Sequence, residues 1–204
     1  MEQREIVLAS NNPGKVKEIN ALLADTAFKI LPQSDFDVVE AEETGLTFIE
    51  NALLKARNAA RYTQFPVIAD DSGIEVPALK GRPGIYSARY AGVGASDEDN
   101  LNKLIEDIAS LAEQDRAARF VCVMVFLKHA EDPTPIIAQG IWEGMAMTEP
   151  RGENGFGYDP LFFVKEQNKT FAELPDFEKN KISHRGNAIK ALLEELNAKK
   201  MIFF

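Results

Sequence analysis

The sequence has little of the patterns that are typical of disulfide-rich, membrane-spanning and exported proteins. Cys122 is the single cysteine among 204 residues, so no internal disulfide is possible, which fits a reducing cytoplasm. No apolar stretch approaches the roughly 20 residues needed to cross a bilayer. The apolar run at 6–9 is also shorter than the roughly 7–15 apolar residues of a secretory signal. We therefore predict a cytoplasmic protein that does not enter a membrane.

Positive charge is scarce as well. The chain has 23 Lys and Arg residues against 32 Asp and Glu residues, which gives a net charge of −9. General nucleic-acid binding depends on neutralising many phosphates with Lys and Arg, so this balance predicts no nucleic-acid partner. A small anionic substrate needs only a few well-placed cations and backbone N–H groups, and it stays compatible with the composition.

Several catalytic signatures are absent. The sequence contains no His-Glu-x-x-His zinc helix, no cysteine cluster and no Gly-x-Ser-x-Gly elbow around Ser72. The segment 9–16 is not a P-loop, because Ala9 stands where Gly is required and Val16 where Ser or Thr is required. Metal-assisted phosphoryl chemistry remains as a reaction class.

What is present is an average globular composition, with 45% apolar and 27% charged residues. The length predicts one domain over 1–204, built as a single body or as two closely joined lobes. Apolar periodicity predicts a mixed α/β protein with a partly antiparallel central sheet flanked by helices. The predicted strands are 6–9, 66–69, 120–127, 136–142 and 161–164, and the predicted helices are 15–24, one opening at Thr47 with Glu50, one from Ser96 to Leu111, and 189–196.

Two adjacent carboxylates stand at the predicted end of the strand at 66–69. Ligands often collect at strand ends in α/β folds, which makes Asp70 and Asp71 candidates for a site. Alternation along a strand points the two side chains in different directions, so we expect different roles for them. Either could bind Mg²⁺ while the other orients or deprotonates a water. On these residues alone, an ordinary turn after a strand explains the pair equally well.

A polar turn, 10–15, joins the first predicted strand to the first helix. A phosphate could sit at the N-terminal N–H groups of that helix, with Lys15 adding a full positive charge. An ordinary strand-to-helix turn would look the same. The acidic residues Glu40, Glu42 and Glu43 precede the second helix, and by themselves they are typical of a solvated loop.

Two later segments have residue types that suit a base. In 152–160, glycines would let the backbone approach a ligand, and Phe156 and Tyr158 offer rings on which a purine could stack. A glycine-rich turn with one buried aromatic is the plainer alternative. Lys179, His184 and Arg185 form a cationic group before the last helix, in which Arg185 could donate a forked pair of hydrogen bonds.

Taken together and in order, these segments resemble the inosine triphosphate pyrophosphatase family, also called the Ham1 family. The resemblance spans nearly the whole chain. It rests on six separated blocks, which are Ser10-Asn11-Asn12 with Lys15 and Glu18, 42–45 with 47–52, 69–73, 83–89, 155–160 and 183–185.

The resemblance implies a two-lobed fold of the Ham1 type and hydrolysis of ITP, dITP or XTP to the monophosphate and pyrophosphate. It also implies Mg²⁺ and a homodimer. Glu42 and Asp71 would serve the metal, and Asp71 would accept the proton of the attacking water. The implied substrate-binding residues are Ser10, Asn11, Asn12, Pro13, Gly14 and Lys15 for the phosphates, Ser72, and Phe156, Gly157, Tyr158, Asp159, Lys179, His184 and Arg185 for the base. Asp70 receives no specific role.

Two alternatives stay open on the residues. One is a pyrophosphatase of the related Maf type acting on pyrimidine nucleotides, against which the full set of blocks argues. The other is a nucleotide sensor that has lost turnover, which the presence of both Lys15 and Asp71 disfavours.

Overall fold

The structure is a computed structural model that describes residues 4–24 and 26–198. It divides into two compact units. Unit 1 comprises 1–71, 122–140 and 185–204, and unit 2 comprises 72–121 and 141–184. A single domain over 1–204 stays a prediction.

Unit 1 contains parallel strands with helices packed against them. Strand β1 (Arg4–Leu8) pairs in parallel with β2 (Phe28–Pro32) on one side and with β3 (Val67–Val76) on the other. The strand order continues through β5 (Ala117–Leu127) to β6 (Ile136–Ala146). Helices α1 (Pro13–Leu23), α2 (Phe48–Thr63) and α5 (His184–Ala198) complete the unit. Its core includes Ile6, Ile19, Ile68, Phe126 and Leu192.

Unit 2 contains antiparallel strand pairs. Strand β4 (Arg82–Pro83) is antiparallel to the second half of β3. Strand β7 (Phe162–Val164) is antiparallel both to β6 and to β8 (Lys169–Thr170). Helices α3 (Asp97–Ile108) and α4 (Asp176–Ile182) belong to this unit. Its core includes Ile74, Leu104, Phe120, Tyr158 and Phe162. The predicted mixed, partly antiparallel α/β class is confirmed.

Local capping explains where the predicted helices begin. Thr47 is the N-cap of α2 and accepts a hydrogen bond from the Glu50 N–H, as the spacing predicted. Ser96 and Asp99 form a reciprocal capping box at α3. Helix α1 begins earlier than predicted, because Asn12 caps it and Pro13 fits its first turn. Helix α5 also begins earlier, at His184, so His184 and Arg185 lie inside it.

One boundary prediction was wrong in a way that matters for the site. Strand β3 does not end at Asp70 and Asp71 but continues to Val76. The two carboxylates therefore lie in the middle of a ten-residue strand, and both are buried, at 1% and 6% exposure. Short strands β2, β4 and β8 and helix α4 were not predicted, because their apolar patterns are too short to register. Among the described residues, no helix is long and apolar enough to cross a membrane.

The turn between β5 and β6 supplies a stability prediction. The Asp132 carboxylate accepts hydrogen bonds from the backbone N–H groups of Lys128, at 3.0 Å, and Thr134, at 2.9 Å. Asp132→Ala leaves both donors without this acceptor and should lower the free energy of unfolding by about 2 kcal/mol. Urea unfolding measures the loss, and Glu131→Ala, which changes the exposed neighbouring residue, is the control.

The pH dependence of this effect has a definite sign. Burial alone would raise the pKa of Asp132, but the two backbone hydrogen bonds and Lys128 outweigh burial and lower it. The stabilisation is thus complete above the ordinary aspartate pKa of about 3.9 and disappears as the pH falls through the lower pKa of the folded state. A stability difference that grows on acidification would contradict this account.

Candidate active site

Asp70 lies among three cations of unit 1. Its Oδ2 atom is 2.9 Å from Lys15 Nζ and 3.9 Å from Arg185 Nε. Burial alone would raise the pKa of Asp70, but the charges of Lys15, Arg185 and Lys55 outweigh burial and hold this pKa well below its usual range. Asp70 is therefore ionised, and it fixes the position of the Lys15 ammonium.

Asp71 has a different set of partners, as strand alternation predicted. Its Oδ1 atom is 2.9 Å from Lys55 Nζ, and its Oδ2 atom accepts a hydrogen bond of 3.4 Å from Asn51. Burial raises the pKa of Asp71, and the charges of Lys55 and Lys15 offset only part of this effect. A raised pKa makes Asp71 a stronger base than an ordinary aspartate, which suits a proton acceptor.

Lys55 joins Asp71 to the acidic segment 42–45. Its Nζ atom is 2.9 Å from Glu43 Oε1 as well as 2.9 Å from Asp71 Oδ1. Burial alone would lower the pKa of Lys55, but Asp71, Asp70 and Glu43 outweigh burial and raise it, so Lys55 is charged. Glu42, the predicted metal ligand, has an exposed side chain, and it is Glu43 whose carboxylate reaches this cluster.

Arg185 lies in the same unit and is ion-paired with Glu18 of α1. Its side chain is only 4% exposed, and its Nε atom faces Asp70. The sequence-based expectation was a base-reading role, whereas in the structure the guanidinium links the helix that carries Lys15 to the helix that carries Arg185. Glu18 belonged to the family pattern, but its partner was not predicted.

The predicted phosphate turn has internal hydrogen bonds. The Asn12 side chain accepts from the Lys15 N–H at 3.0 Å, and Ser10 Oγ accepts from the Asn12 N–H at 3.3 Å. The Asn11 side chain donates to Glu40 and accepts from Gln33. A phosphate bound at the N–H groups of Asn12 and Lys15 must replace their bonds to Ser10 and Asn12, and Pro13 and Gly14 form the first turn of the helix.

Unit 2 contains the residues predicted to hold the base. Tyr158 is 6% exposed and donates a hydrogen bond of 2.7 Å to the Ser87 carbonyl. Its ring is part of the core, which corrects the expectation that it offers a stacking face. Phe156 is half-buried, and the Gly157 N–H donates to Asp97 at 3.0 Å. Ser72 is half-buried in β3.

The predicted base residues Lys179 and Asp159 form a buried ion pair of 3.2 Å. Lys179 Nζ also lies 4.5 Å from the centre of the Phe171 ring. A Cβ atom at Gly155 would lie 1.9 Å from Asp159 Oδ2, and the φ of Gly155 is +91°, so only glycine fits above this pair. His184 is buried and stacks on Phe120, with ring centres 4.7 Å apart.

The carboxylates of this cluster fit a divalent cation that binds together with its substrate. No group of three or more His, Cys, Asp or Glu side chains within 4–24 and 26–198 could hold a metal by itself. Mg²⁺ is commonly held by one or two carboxylates together with substrate phosphates and waters. Asp71 and Glu43 provide such a pair, because both carboxylates already contact the Lys55 ammonium.

Sequence reasoning missed two residues of the cluster, Asn51 and Lys55. Both belong to α2, one helical turn apart, and Asn51 lies within its buried stripe between Phe48 and Ala52. A polar side chain in an apolar stripe needs a buried partner, and that signal could have identified Asn51. Lys55 had no such signal, because a lysine next to a buried stripe is ordinary.

Comparison with known proteins decides the family. A family model described as the Ham1 family matches residues 6–195 of the chain. This chain belongs to the Ham1 family. The predicted resemblance is therefore confirmed.

Relatives and solved structures in this family agree closely with the chain. The dITP/XTP pyrophosphatase of Vibrio parahaemolyticus is 56% identical over 195 residues, which cover 96% of this chain and 98% of that protein. The dITP/XTP pyrophosphatase of Thioalkalivibrio sulfidiphilus is 57% identical and covers 96% of this chain and 100% of that protein. The solved structure of a HAM1 protein from Coxiella burnetii has a TM-score of 0.89 and 47% identity, over 96% of this chain and 100% of that chain. The fold of the Ham1 family is thus the fold of this chain.

Proposed function

We propose that this chain hydrolyses deaminated purine nucleoside triphosphates, ITP, dITP and XTP, to the monophosphate and pyrophosphate. It is then a hydrolase acting on acid anhydrides that removes non-standard purines from the nucleotide pool. The observation that carries the proposal is the full-length identity of 56% to a protein named dITP/XTP pyrophosphatase, together with a buried cluster of acids and cations.

We propose that the reaction uses Mg²⁺, held by Asp71 with Glu42 or Glu43 and completed by substrate phosphates. When bound, the cation would neutralise charge on the phosphate oxygens. Both glutamates belong to the one segment that Lys55 joins to Asp71, which supports the proposal.

The residues of unit 1 supply the remaining chemistry. Asp71 accepts the proton of the water that attacks the triphosphate, and the bond between the α- and β-phosphoryl groups breaks. Lys15 balances the negative charge of the phosphates, and Asp70 holds its ammonium in place. Lys55 keeps Asp71 oriented. The substrate phosphates would contact Ser10, Asn11, Asn12, Pro13, Gly14 and Lys15.

Base recognition is proposed for Ser72, Phe156, Gly157, Asp159, Lys179, His184 and Arg185, and Tyr158 would hold its segment in place from the core. Hypoxanthine and xanthine present a 6-oxo acceptor, whereas adenine presents a 6-amino donor. A site lined with donors such as Arg185 would leave the adenine amine facing donors, which is costly in a buried pocket. Phe156, as the half-buried ring of this segment, is the residue on which a base would stack.

We further propose a cytoplasmic homodimer. The location follows from the nucleotide pool on which the proposed reaction acts, and the dimer follows from the family resemblance. Light scattering of the purified protein tests the dimer, and a monomer mass would contradict it.

One panel of assays tests the function. Pyrophosphate release is measured from ITP, dITP, XTP, ATP, GTP, dTTP and UTP, each with Mg²⁺ and with a chelator. We expect pyrophosphate release from the three deaminated purine nucleotides. Chelation should abolish this release, and added Mg²⁺ should restore it. Preferred hydrolysis of dTTP or UTP would indicate the Maf-type alternative, and no release from any substrate would indicate a sensor.

The proposed role of Arg185 has its own test. Arg185→Lys keeps a charge beside Glu18 and Asp70 but loses the forked donors, so the ratio of kcat/KM for ITP over ATP should fall about tenfold. Arg61→Lys, at an exposed arginine of α2 that lies outside the family motifs, is the control for the chemical change. An unchanged ratio in a folded Arg185→Lys protein would place base reading elsewhere.

A further inference from the structure

We propose that Asn51 is a positioning residue that fixes the acidic segment 42–45 against Asp71. This inference rests on the proposed function, because the segment carries Glu42 and Glu43. The Asn51 side chain is 0% exposed and lies in the first turn of α2.

Both ends of the Asn51 amide are used. Its Oδ1 atom accepts a hydrogen bond of 2.8 Å from the Gly45 N–H, and its Nδ2 atom donates one of 3.4 Å to Asp71 Oδ2. Because a backbone N–H can only donate, the amide oxygen must face Gly45, and the amide nitrogen then faces Asp71. One buried side chain thus ties the acidic segment to the proposed proton acceptor.

The packing at Gly45 supports this connection independently. A Cβ atom at Gly45 would lie 2.7 Å from Asn51 Oδ1 and 2.6 Å from Glu50 Cβ, closer than side-chain atoms approach. The segment therefore rests directly on α2, and a glycine is required for it to do so. The Leu46 N–H donates to Glu50 Oε2 at 2.8 Å and secures the next residue.

Lys55 makes the same connection one helical turn later. It bridges Glu43 and Asp71, just as Asn51 bridges Gly45 and Asp71. Residues four apart lie on the same face of a helix, so α2 acts as a rigid template for the spacing between the segment and Asp71. Lys55 contributes charge, whereas Asn51 is neutral and contributes only geometry.

The inference predicts a specific kinetic pattern. Removing the Asn51 amide lets the segment move, and misplacement of catalytic groups by about 1 Å can lower turnover by about 10²-fold. Partners that orient metal ligands affect metal affinity by about 10- to 100-fold. KM for ITP should change little, because the Asn51 amide bonds to Gly45 and Asp71 rather than to the residues proposed to bind the phosphates and the base.

The test compares Asn51→Ala with Gly45→Ala and with the control Asn58→Ala. Asn58 lies on the same helix, and its amide donates to the Val39 carbonyl at 2.7 Å. Both test variants should lower kcat for ITP by about 10- to 100-fold and raise the Mg²⁺ concentration for half-maximal rate about tenfold, with KM within about threefold. Asn58→Ala should stay near wild type in all three.

Amide hydrogen exchange without nucleotide or metal gives a second readout. The Gly45 amide should be protected in the wild type and lose protection in Asn51→Ala. If folded Asn51→Ala and Gly45→Ala keep kcat and the Mg²⁺ requirement within twofold of wild type, the inference is overturned. If the wild type releases no pyrophosphate from ITP, the proposed function fails, and exchange at Gly45 alone decides the role of Asn51. Unchanged protection then overturns that role.

Discussion

Replacing Asp71 with asparagine should lower kcat for ITP by about 10²- to 10⁴-fold while the protein stays folded. The amide cannot accept the proton of the attacking water, and general base catalysis has effects of that size. The free energy of unfolding should fall less than in Asp70→Asn, because the raised pKa of Asp71 means that folding disfavours its charged form, and because Lys55 keeps Glu43 as an ion-pair partner. Pyrophosphate release under saturating ITP measures the first effect, and thermal unfolding measures the second.

Asp70→Asn provides the matched comparison, since it makes the same chemical change one residue away. Folding favours the charged form of Asp70, which is 1% exposed and paired with Lys15. This variant should lose about 3 kcal/mol of unfolding free energy, as expected when one partner of a buried pair is removed. Near wild-type turnover in Asp71→Asn would rule out Asp71 as the proton acceptor.

Replacing Lys15 with glutamine should reduce kcat/KM for ITP by about 10²- to 10³-fold. Lys15 is the cation at the start of α1, and removing a preorganised charge that stabilises a phosphate transition state costs about this much. Of the three cations that offset the cost of burying the charged Asp70 carboxylate, Arg185 and Lys55 then remain. The pKa of Asp70 should therefore rise toward its usual value.

Lys17→Gln is the control for Lys15→Gln, because Lys17 is an exposed lysine two residues later on the same helix. Steady-state kinetics of the three proteins over a range of ITP concentrations separates kcat from KM. Equal losses in both variants would show that general surface charge, rather than the ammonium held by Asp70, attracts the triphosphate.

The sequence was most informative where a single local rule applied. Thr47 and Ser96 were recognised as caps because a hydroxyl followed by an acid three residues later satisfies the first N–H groups of a helix. The core strands 6–9 and 120–127 were recognised from apolar runs, and six ordered motifs led to the correct family. These signals are local in the chain, so one sequence contains them in full.

The sequence was least informative about which charges meet. Asp70 and Asp71 are neighbours in the chain, yet one pairs with Lys15 and Arg185 and the other with Lys55 and Asn51. Glu43 rather than Glu42 reaches the cluster, although the two residues are adjacent and identical in type. Ion pairs between distant residues depend on helix rotation and strand register, which propensities do not fix.

By itself, then, the sequence determined the family, the α/β class, the starts of α2 and α3 and the importance of the acidic pair. Only the tertiary structure decided that the pair lies inside β3, with Asp70 holding Lys15 and Asp71 bearing the raised pKa. The physical reason is that a pKa depends on burial and on charges brought together from distant parts of the chain. Here α1, α2 and α5 supply those charges around one strand.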